Sequence, residues 1–266
     1  MTARRGRPLA AVSLKTYLGQ AGTRAWLEAV RGVAVTAPAG VDLLVLPVAT
    51  ALPDAARVLG AVGVRVGAQD CSWTPPGAYT GELPAALLAE IGAEVVEIGH
   101  AERRGVLGED QTTTTAKATA GAGAGLVPLV CVGEGDRVSP EAAAARCAAQ
   151  LDATLRDVPA EAPVLVAYEP EWAIGADEPA GPDHVRAVCR RLRAHLDTHR
   201  PDHRLLYGGT AGPGVFARLH PDVDGLFLGR RAHEVAALAE VIEEMARVAG
   251  PVPVVARRTE ARGEAR

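Results

Sequence analysis

The sequence predicts one α/β domain, a closed (β/α)8 barrel of eight parallel strands with outer helices, over residues 1–254. Three observations carry that reading. Eight short β-branched apolar runs recur along the chain, segments with helical apolar spacing separate them, and no large insertion breaks the alternation. A chain of 266 residues, 48% of them hydrophobic, can also bury the core such a barrel needs.

The expected strands are 9–14, 42–46, 64–68, 95–98, 126–132, 163–167, 204–206 and 225–228. Most are almost continuously apolar rather than alternating, which is how a parallel strand covered on both faces reads. Between them, segments such as 21–30, 83–91, 140–155 and 183–196 are rich in Ala, Leu, Glu and Arg at helical spacing. Eight uninterrupted alternations favour a closed barrel over an open doubly wound sheet. Beyond Val254 the charged residues Arg257, Arg258, Glu260, Arg262 and Arg266 have no apolar spacing, so 255–266 is expected to be a disordered tail.

Composition excludes several function classes. Lys and Arg total 28 against 32 Asp and Glu, and a formal net charge of −4 gives no overall pull toward nucleic acid or anionic lipid. Any phosphate must be gripped locally. Cys71, Cys131, Cys147 and Cys189 are far apart and form no C-x-x-C pair, which suggests neither a metal site nor a disulfide framework. The arginines within Met1 to Pro8 precede no apolar stretch, and no run of about 18 apolar residues occurs, so a cytoplasmic protein without membrane insertion is expected.

Barrel active sites assemble at the C-terminal ends of the strands. The ionisable residues there are Lys15 after the first strand, His100 after the fourth and Glu169 after the sixth. Together they supply a cation, a neutral hydrogen-bond donor and a carboxylate base, the needs of an enolisation. Each also has a structural alternative: an ion pair for Glu169, a satisfied loop histidine for His100, a solvated lysine for Lys15. Glycines end the last two strands, at Gly208-Gly209 and Gly229, and follow the fourth at Gly99. Any one of them serves a tight turn, but two consecutive late strands ending this way favour phosphate binding.

From Ser13 to Ala232 the chain resembles the triosephosphate isomerase family, the family that gives the TIM barrel its name. The segment Ala167-Tyr168-Glu169-Pro170-Glu171-Trp172-Ala173-Ile174-Gly175 resembles its base-plus-lid signature. Gly99-His100-Ala101-Glu102-Arg103-Arg104 is similar to its electrophile segment, Cys131-Val132-Gly133-Glu134 to the end of its fifth strand, and Tyr207-Gly208-Gly209-Thr210 to its phosphate-gripping turn.

The resemblance implies Glu169 as catalytic base, His100 as neutral electrophile, Lys15 as substrate-binding cation and Glu102 as a supporting residue. It also implies substrate or phosphate contacts at Ser13, Gly175, Gly208, Gly209, Thr210, Gly229 and Arg230. A base, a neutral histidine and a closing lid are the family's known assignment, not something the spacing derives. The lid would run from Pro170 to about Ala180. The segments 68–70 and 77–82 resemble the long third loop that plugs into a neighbouring subunit. They imply a homodimer in which Thr80 reaches toward the partner's Ser13 and His100. The implied activity is a cofactor-free, metal-free aldose–ketose isomerisation of dihydroxyacetone phosphate and glyceraldehyde 3-phosphate, the cytoplasmic reaction of glycolysis and gluconeogenesis.

Four departures surround the same mouth. Ser13 stands where the family usually has Asn, Ala101 where it has a serine that hydrogen-bonds the catalytic carboxylate, and Ala176-Asp177-Glu178-Pro179 where it has Thr-Gly-Lys-Thr. Arg230 replaces the second of two consecutive glycines. Its backbone N–H can still face phosphate, or its guanidinium can add a bidentate contact. A Gly-Arg here is similar to L-erythrulose-1-phosphate isomerases, which tend to keep the Asn that Ser13 replaces, so the likeness is partial. The departures leave two alternatives open, a tetrulose-phosphate isomerase and a catalytically decayed paralogue that binds phosphometabolites.

Overall fold

The computed structural model describes residues 6–38, 40–174 and 179–250. The expected boundary at 254 and the tail 255–266 lie outside them. Eight strands form the fold: β1 (Leu9–Ser13), β2 (Asp42–Leu46), β3 (Arg65–Ala68), β4 (Val95–Ile98), β5 (Val127–Val132), β6 (Val164–Tyr168), β7 (His203–Tyr207) and β8 (Gly225–Leu228). Each pairs in parallel with its sequence neighbours, and β8 returns to β1 with Leu9 opposite Gly225. The sheet is a closed barrel.

Around it run α1 (Gln20–Thr36), α2 (Leu52–Gly60), α3 (Ala85–Glu90), α4 (Ala101–Gly105), α5 (Gln111–Gly123), α6 (Pro140–Thr154), α7 (Pro182–His199), α8 (Val215–Leu219) and α9 (Val235–Ala249). Local chemistry sets several ends. Ser139 accepts the Ala142 N–H at 3.3 Å ahead of Pro140, which starts α6. Asp110 accepts the Thr113 N–H at 2.7 Å and starts α5, although four successive threonines make that helix a poor one by propensity. Thr114 and Thr115 turn their hydroxyls back onto the carbonyls of Asp110 and Gln111, each at 2.8 Å.

Several element ends differ from expectation, for backbone reasons. β1 stops at Ser13, one residue early, because Lys15 turns the chain with φ +50°. β6 begins at Val164 and not at Pro163, which has no N–H to give the ladder, and it continues to Tyr168. β7 is longer than expected at both ends. α1 extends to Thr36, and α3 starts only after Pro84.

Strand parity sorts the core into two layers. Leu9, Ala11, Leu44, Leu46, Val95, Leu129, Cys131, Leu165, Ala167, Leu206 and Phe227 fill the barrel interior. Their alternate neighbours, among them Ala10, Val12, Val45, Val96, Val130 and Val166, pack outward under the helices. Taking each inner series one step further toward the C-terminal end gives Ser13 from β1, Glu97 from β4 and Glu169 just past β6. The barrel's uppermost inner layer is polar.

Candidate active site

A cavity of about 370 Å³ opens at that end, lined among others by Ser13, Lys15, His100, Glu169, Thr210 and Arg230. Sequence reading expected these residues from five different strand ends to converge there.

Glu169 is only 5% exposed, and its Oε2 has no hydrogen-bond partner. Burial raises its pKa to about 8, the nearby Glu97 carboxyl pushes the same way, and Lys15 opposes both. Its seat depends on Gly208, where a Cβ would lie 2.6 Å from Glu169 Cγ and 2.7 Å from Oε1. Gly208 thus makes room for the carboxylate as well as lining the cavity. Ala101 offers this carboxylate no hydroxyl.

His100 caps the start of α4, and its Nδ1 accepts the Glu102 N–H at 3.1 Å. In the neutral ring the proton is therefore on Nε2, which lies 3.6 Å from Glu169 Oε2. Burial first and then Lys15 lower the imidazole to about 4. His100 is neutral at physiological pH. The turn delivering it requires Gly99, whose φ is +69° and where a Cβ would meet Arg104 Nη2 at 2.8 Å.

Lys15 is, among the described residues, the non-glycine residue with positive φ, at +50°. That conformation costs about 1–2 kcal/mol for a residue with a Cβ. It is held by the Gln69 amide, which donates to the Lys15 carbonyl at 3.1 Å and to the Leu46 carbonyl at 3.0 Å. The ammonium pairs with Glu102. Glu102 thus holds the imidazole through its backbone N–H and the cation through its carboxylate.

Gly208, Gly209 and Gly229 line the cavity beside Thr210, whose hydroxyl donates to the Ala173 carbonyl at 3.5 Å. Arg230 has an ordinary backbone, so a side chain there meets no left-handed strain. Its guanidinium carbon sits 5.9 Å from the Tyr17 ring centre on the cavity wall. Gly175 and the lid tip 176–178 lie outside the described residues. Thr80 is exposed on the loop between β3 and α3 and does not line its own chain's cavity.

A profile of the family described as "Triosephosphate isomerase" matches residues 8–245. The chain belongs to the triosephosphate isomerase family. The L-erythrulose-1-phosphate isomerase of Pectobacterium atrosepticum is 41% identical over 88% of this chain and 93% of its own. One of the same name from Rhizobium etli is 39% identical over 76% of this chain and 79% of its own. The triosephosphate isomerase of Trichlorobacter lovleyi is 36% identical over 76% and 84%. The crystal structure of triosephosphate isomerase from Bartonella henselae superposes with a TM-score of 0.76 and 30% identity, covering 91% of this chain and 99% of that one. The protein is an isomerase of this family.

Within this triosephosphate isomerase framework, sequence reading missed Glu97 and left the roles of Gln69 and Glu134 unassigned. Glu97 sits inside an apolar strand, not at its end, and the inner parity of Val95-Val96-Glu97-Ile98 is the signal that reveals it. Gln69 acts through carbonyls, which no motif exposes. Glu134, 1% exposed, accepts from Tyr168 Oη at 3.1 Å and from Trp172 Nε1 at 2.8 Å. That anchor fixes residues 171–174, the start of the segment after Glu169, against the end of β5. Ile174 then lines the cavity.

Proposed function

We propose that the protein isomerises a short phosphorylated ketose without a cofactor, with Glu169 as base, His100 as neutral hydrogen-bond donor and Lys15 as the balancing cation, and that its preferred substrate is L-erythrulose 1-phosphate. The observation that carries the chemistry is the opposition of Glu169 Oε2 and the protonated Nε2 of a neutral His100 across 3.6 Å. A base and a donor so close can reach one enediolate together, the base at its carbon and the donor at its oxygens. Glu169 takes the proton from the carbon beside the carbonyl, and the C–H electrons form a C=C bond as the carbonyl π pair moves to oxygen. His100 gives its Nε2 proton to that oxygen and takes up the proton of the neighbouring hydroxyl, whose oxygen becomes the new carbonyl; Lys15 offsets the developing charge, and Glu169 returns its proton to the former carbonyl carbon. No electrons leave the substrate.

In L-erythrulose 1-phosphate the carbonyl moves from C2 to C3, so the product remains a ketose. In dihydroxyacetone phosphate the same steps yield glyceraldehyde 3-phosphate. The four-carbon substrate differs only by a hydroxymethyl group on the carbon that loses the proton. The Gly229-Arg230 pair and the names of the Pectobacterium and Rhizobium relatives support it. The triose reaction is the second reading, supported by the complete Lys15, His100 and Glu169 set and by the Trichlorobacter relative. Comparing kcat/KM for the two substrates in coupled assays decides between them. Tight binding of a phosphorylated enediolate mimic with turnover of neither would leave the decayed-paralogue reading standing.

We further propose a cytoplasmic homodimer. Trp73 (50%), Tyr79 (46%) and Leu107 (65%) are large apolar side chains left exposed around the β3–α3 loop and the end of α4, and they support a partner there. Sedimentation equilibrium tests it, and a monomer at micromolar concentration refutes it. Among the described residues no helix is long and apolar enough to cross a membrane.

A further inference from the structure

Glu97 is a buried carboxyl that the chemistry above does not use. It is 3% exposed, points into the barrel from β4, and its Oε2 accepts a hydrogen bond at 2.9 Å from the hydroxyl of Ser13, itself 3% exposed. The two do not occupy the same place in the site. Ser13 lines both the substrate cavity and a neighbouring cavity of about 570 Å³, whereas Glu97 lines only the second. Glu97 therefore reaches the substrate through Ser13.

We propose that Glu97 is a positioning residue that holds the Ser13 hydroxyl for the terminal hydroxyl distinguishing a four-carbon ketose phosphate from dihydroxyacetone phosphate. The inference rests on the isomerase reading above and assigns its substrate discrimination. Two arguments carry it. Ser13 lines the substrate cavity and is tied to Glu97 by a 2.9 Å hydrogen bond between two buried side chains, so the two act as a pair. A lone serine hydroxyl at the end of a strand would also rotate freely, and the buried Glu97 carboxyl removes that freedom.

The charge state of Glu97 sets what Ser13 presents. Burial pushes Glu97 up to about 8, while the hydrogen bond from Ser13 and the charge of Lys15 pull it down, and Glu102 and Asp70 push it up. Glu169 is a second carboxyl whose charge acts on Glu97's surroundings, and the buried Cys131 thiol feels both carboxyls. An ionised Glu169 base strengthens Glu97's hold on its own proton. When Glu97 is neutral its proton can turn this bond around and donate to Ser13 Oγ, which frees the serine proton for the substrate. An ionised Glu97 captures that proton and leaves Ser13 an acceptor only.

The test measures kcat/KM for L-erythrulose 1-phosphate and for dihydroxyacetone phosphate in the full chain, comparing wild type with S13A, E97L, S13A/E97L and E97Q. Loss of one directed hydrogen bond is worth about tenfold. The tetrulose-to-triose ratio is expected to fall about tenfold in S13A and in E97L, with the double variant no lower than either single one. A ratio unmoved in E97L, or losses that multiply in the double variant, would overturn the proposal. E97Q keeps the shape and an amide donor, so it covers the case in which E97L does not fold. It is expected to hold the wild-type ratio at pH 7 and to abolish the decline of that ratio above pH 8, and a decline that persists would also overturn the proposal. A wild-type protein that prefers the triose phosphate would defeat the substrate reading itself. A wild type that prefers the tetrulose phosphate with a ratio indifferent to Glu97 defeats only this inference.

Discussion

Replacing Gly208 by alanine tests the seat of Glu169, the proposed base, without touching any ionisable group. The backbone at Gly208 is not left-handed, so alanine brings no conformational strain, only one carbon. That carbon would stand 2.6 Å from Glu169 Cγ, where ordinary contact begins at 3.4 Å, so the carboxylate must retreat by at least 0.8 Å. It would also stand 2.7 Å from Oε1, which blocks a simple rotation in place. A misplacement of about 1 Å at a reacting group costs roughly 100-fold in rate. G208A should therefore lose about two orders of magnitude in kcat with a small change in KM, and its melting temperature should stay close to that of wild type. Steady-state kinetics on the better of the two substrates, beside thermal unfolding by circular dichroism, reads both. A G208A enzyme within threefold of wild type would refute the argument that the Glu169 carboxylate must occupy this seat.

Shortening the base gives the complementary case: E169D withdraws the carboxylate by one methylene and should lower kcat by about 100-fold or more, far more than it raises KM. Because Glu169 is held above the ordinary carboxylate value of 4.5, mainly by burial, kcat/KM should fall as pH drops through its raised pKa. His100, lowered to about 4, should add no ionisation between pH 5 and 9, and an imidazole seen to titrate near 6.5 by NMR would contradict its neutral role. Stability carries a separate signature. Glu97 binds its proton more tightly folded than unfolded, so its contribution is full below about 4.5 and is lost as pH rises toward about 8. E97Q, which cannot ionise, should gain melting temperature relative to wild type at pH 9 and little at pH 5, as read by calorimetry.

The barrel was legible because its strands carry their burial in their composition: runs such as Val127–Val132 are apolar on both faces, which only a covered parallel sheet tolerates. Strand ends were less so, since Lys15 turns the chain early through a positive φ that no side-chain pattern announces. Lys15, His100 and Glu169 could be found by asking which ionisable groups sit where strands stop. Glu97 could not, because it sits one step inside β4 and belongs to the site through parity and a neighbour's hydroxyl. The role of Gln69 was invisible for another reason: the side chain works on the carbonyls of Lys15 and Leu46, and carbonyls leave no trace in a sequence.

The pairing of β8 with β1 has a consequence for how the protein acquires activity. Ser13 and Lys15 stand at the end of the first strand, while Gly229 and Arg230 stand at the end of the last, and only the Leu9–Gly225 seam brings them to one cavity. Every other strand pair joins sequence neighbours and can form while the ring is still open. Helical signal and most of the buried surface can then return during refolding before any molecule can turn over substrate. Enzyme activity in this chain requires the longest-range pairing of the sheet, the meeting of its two ends.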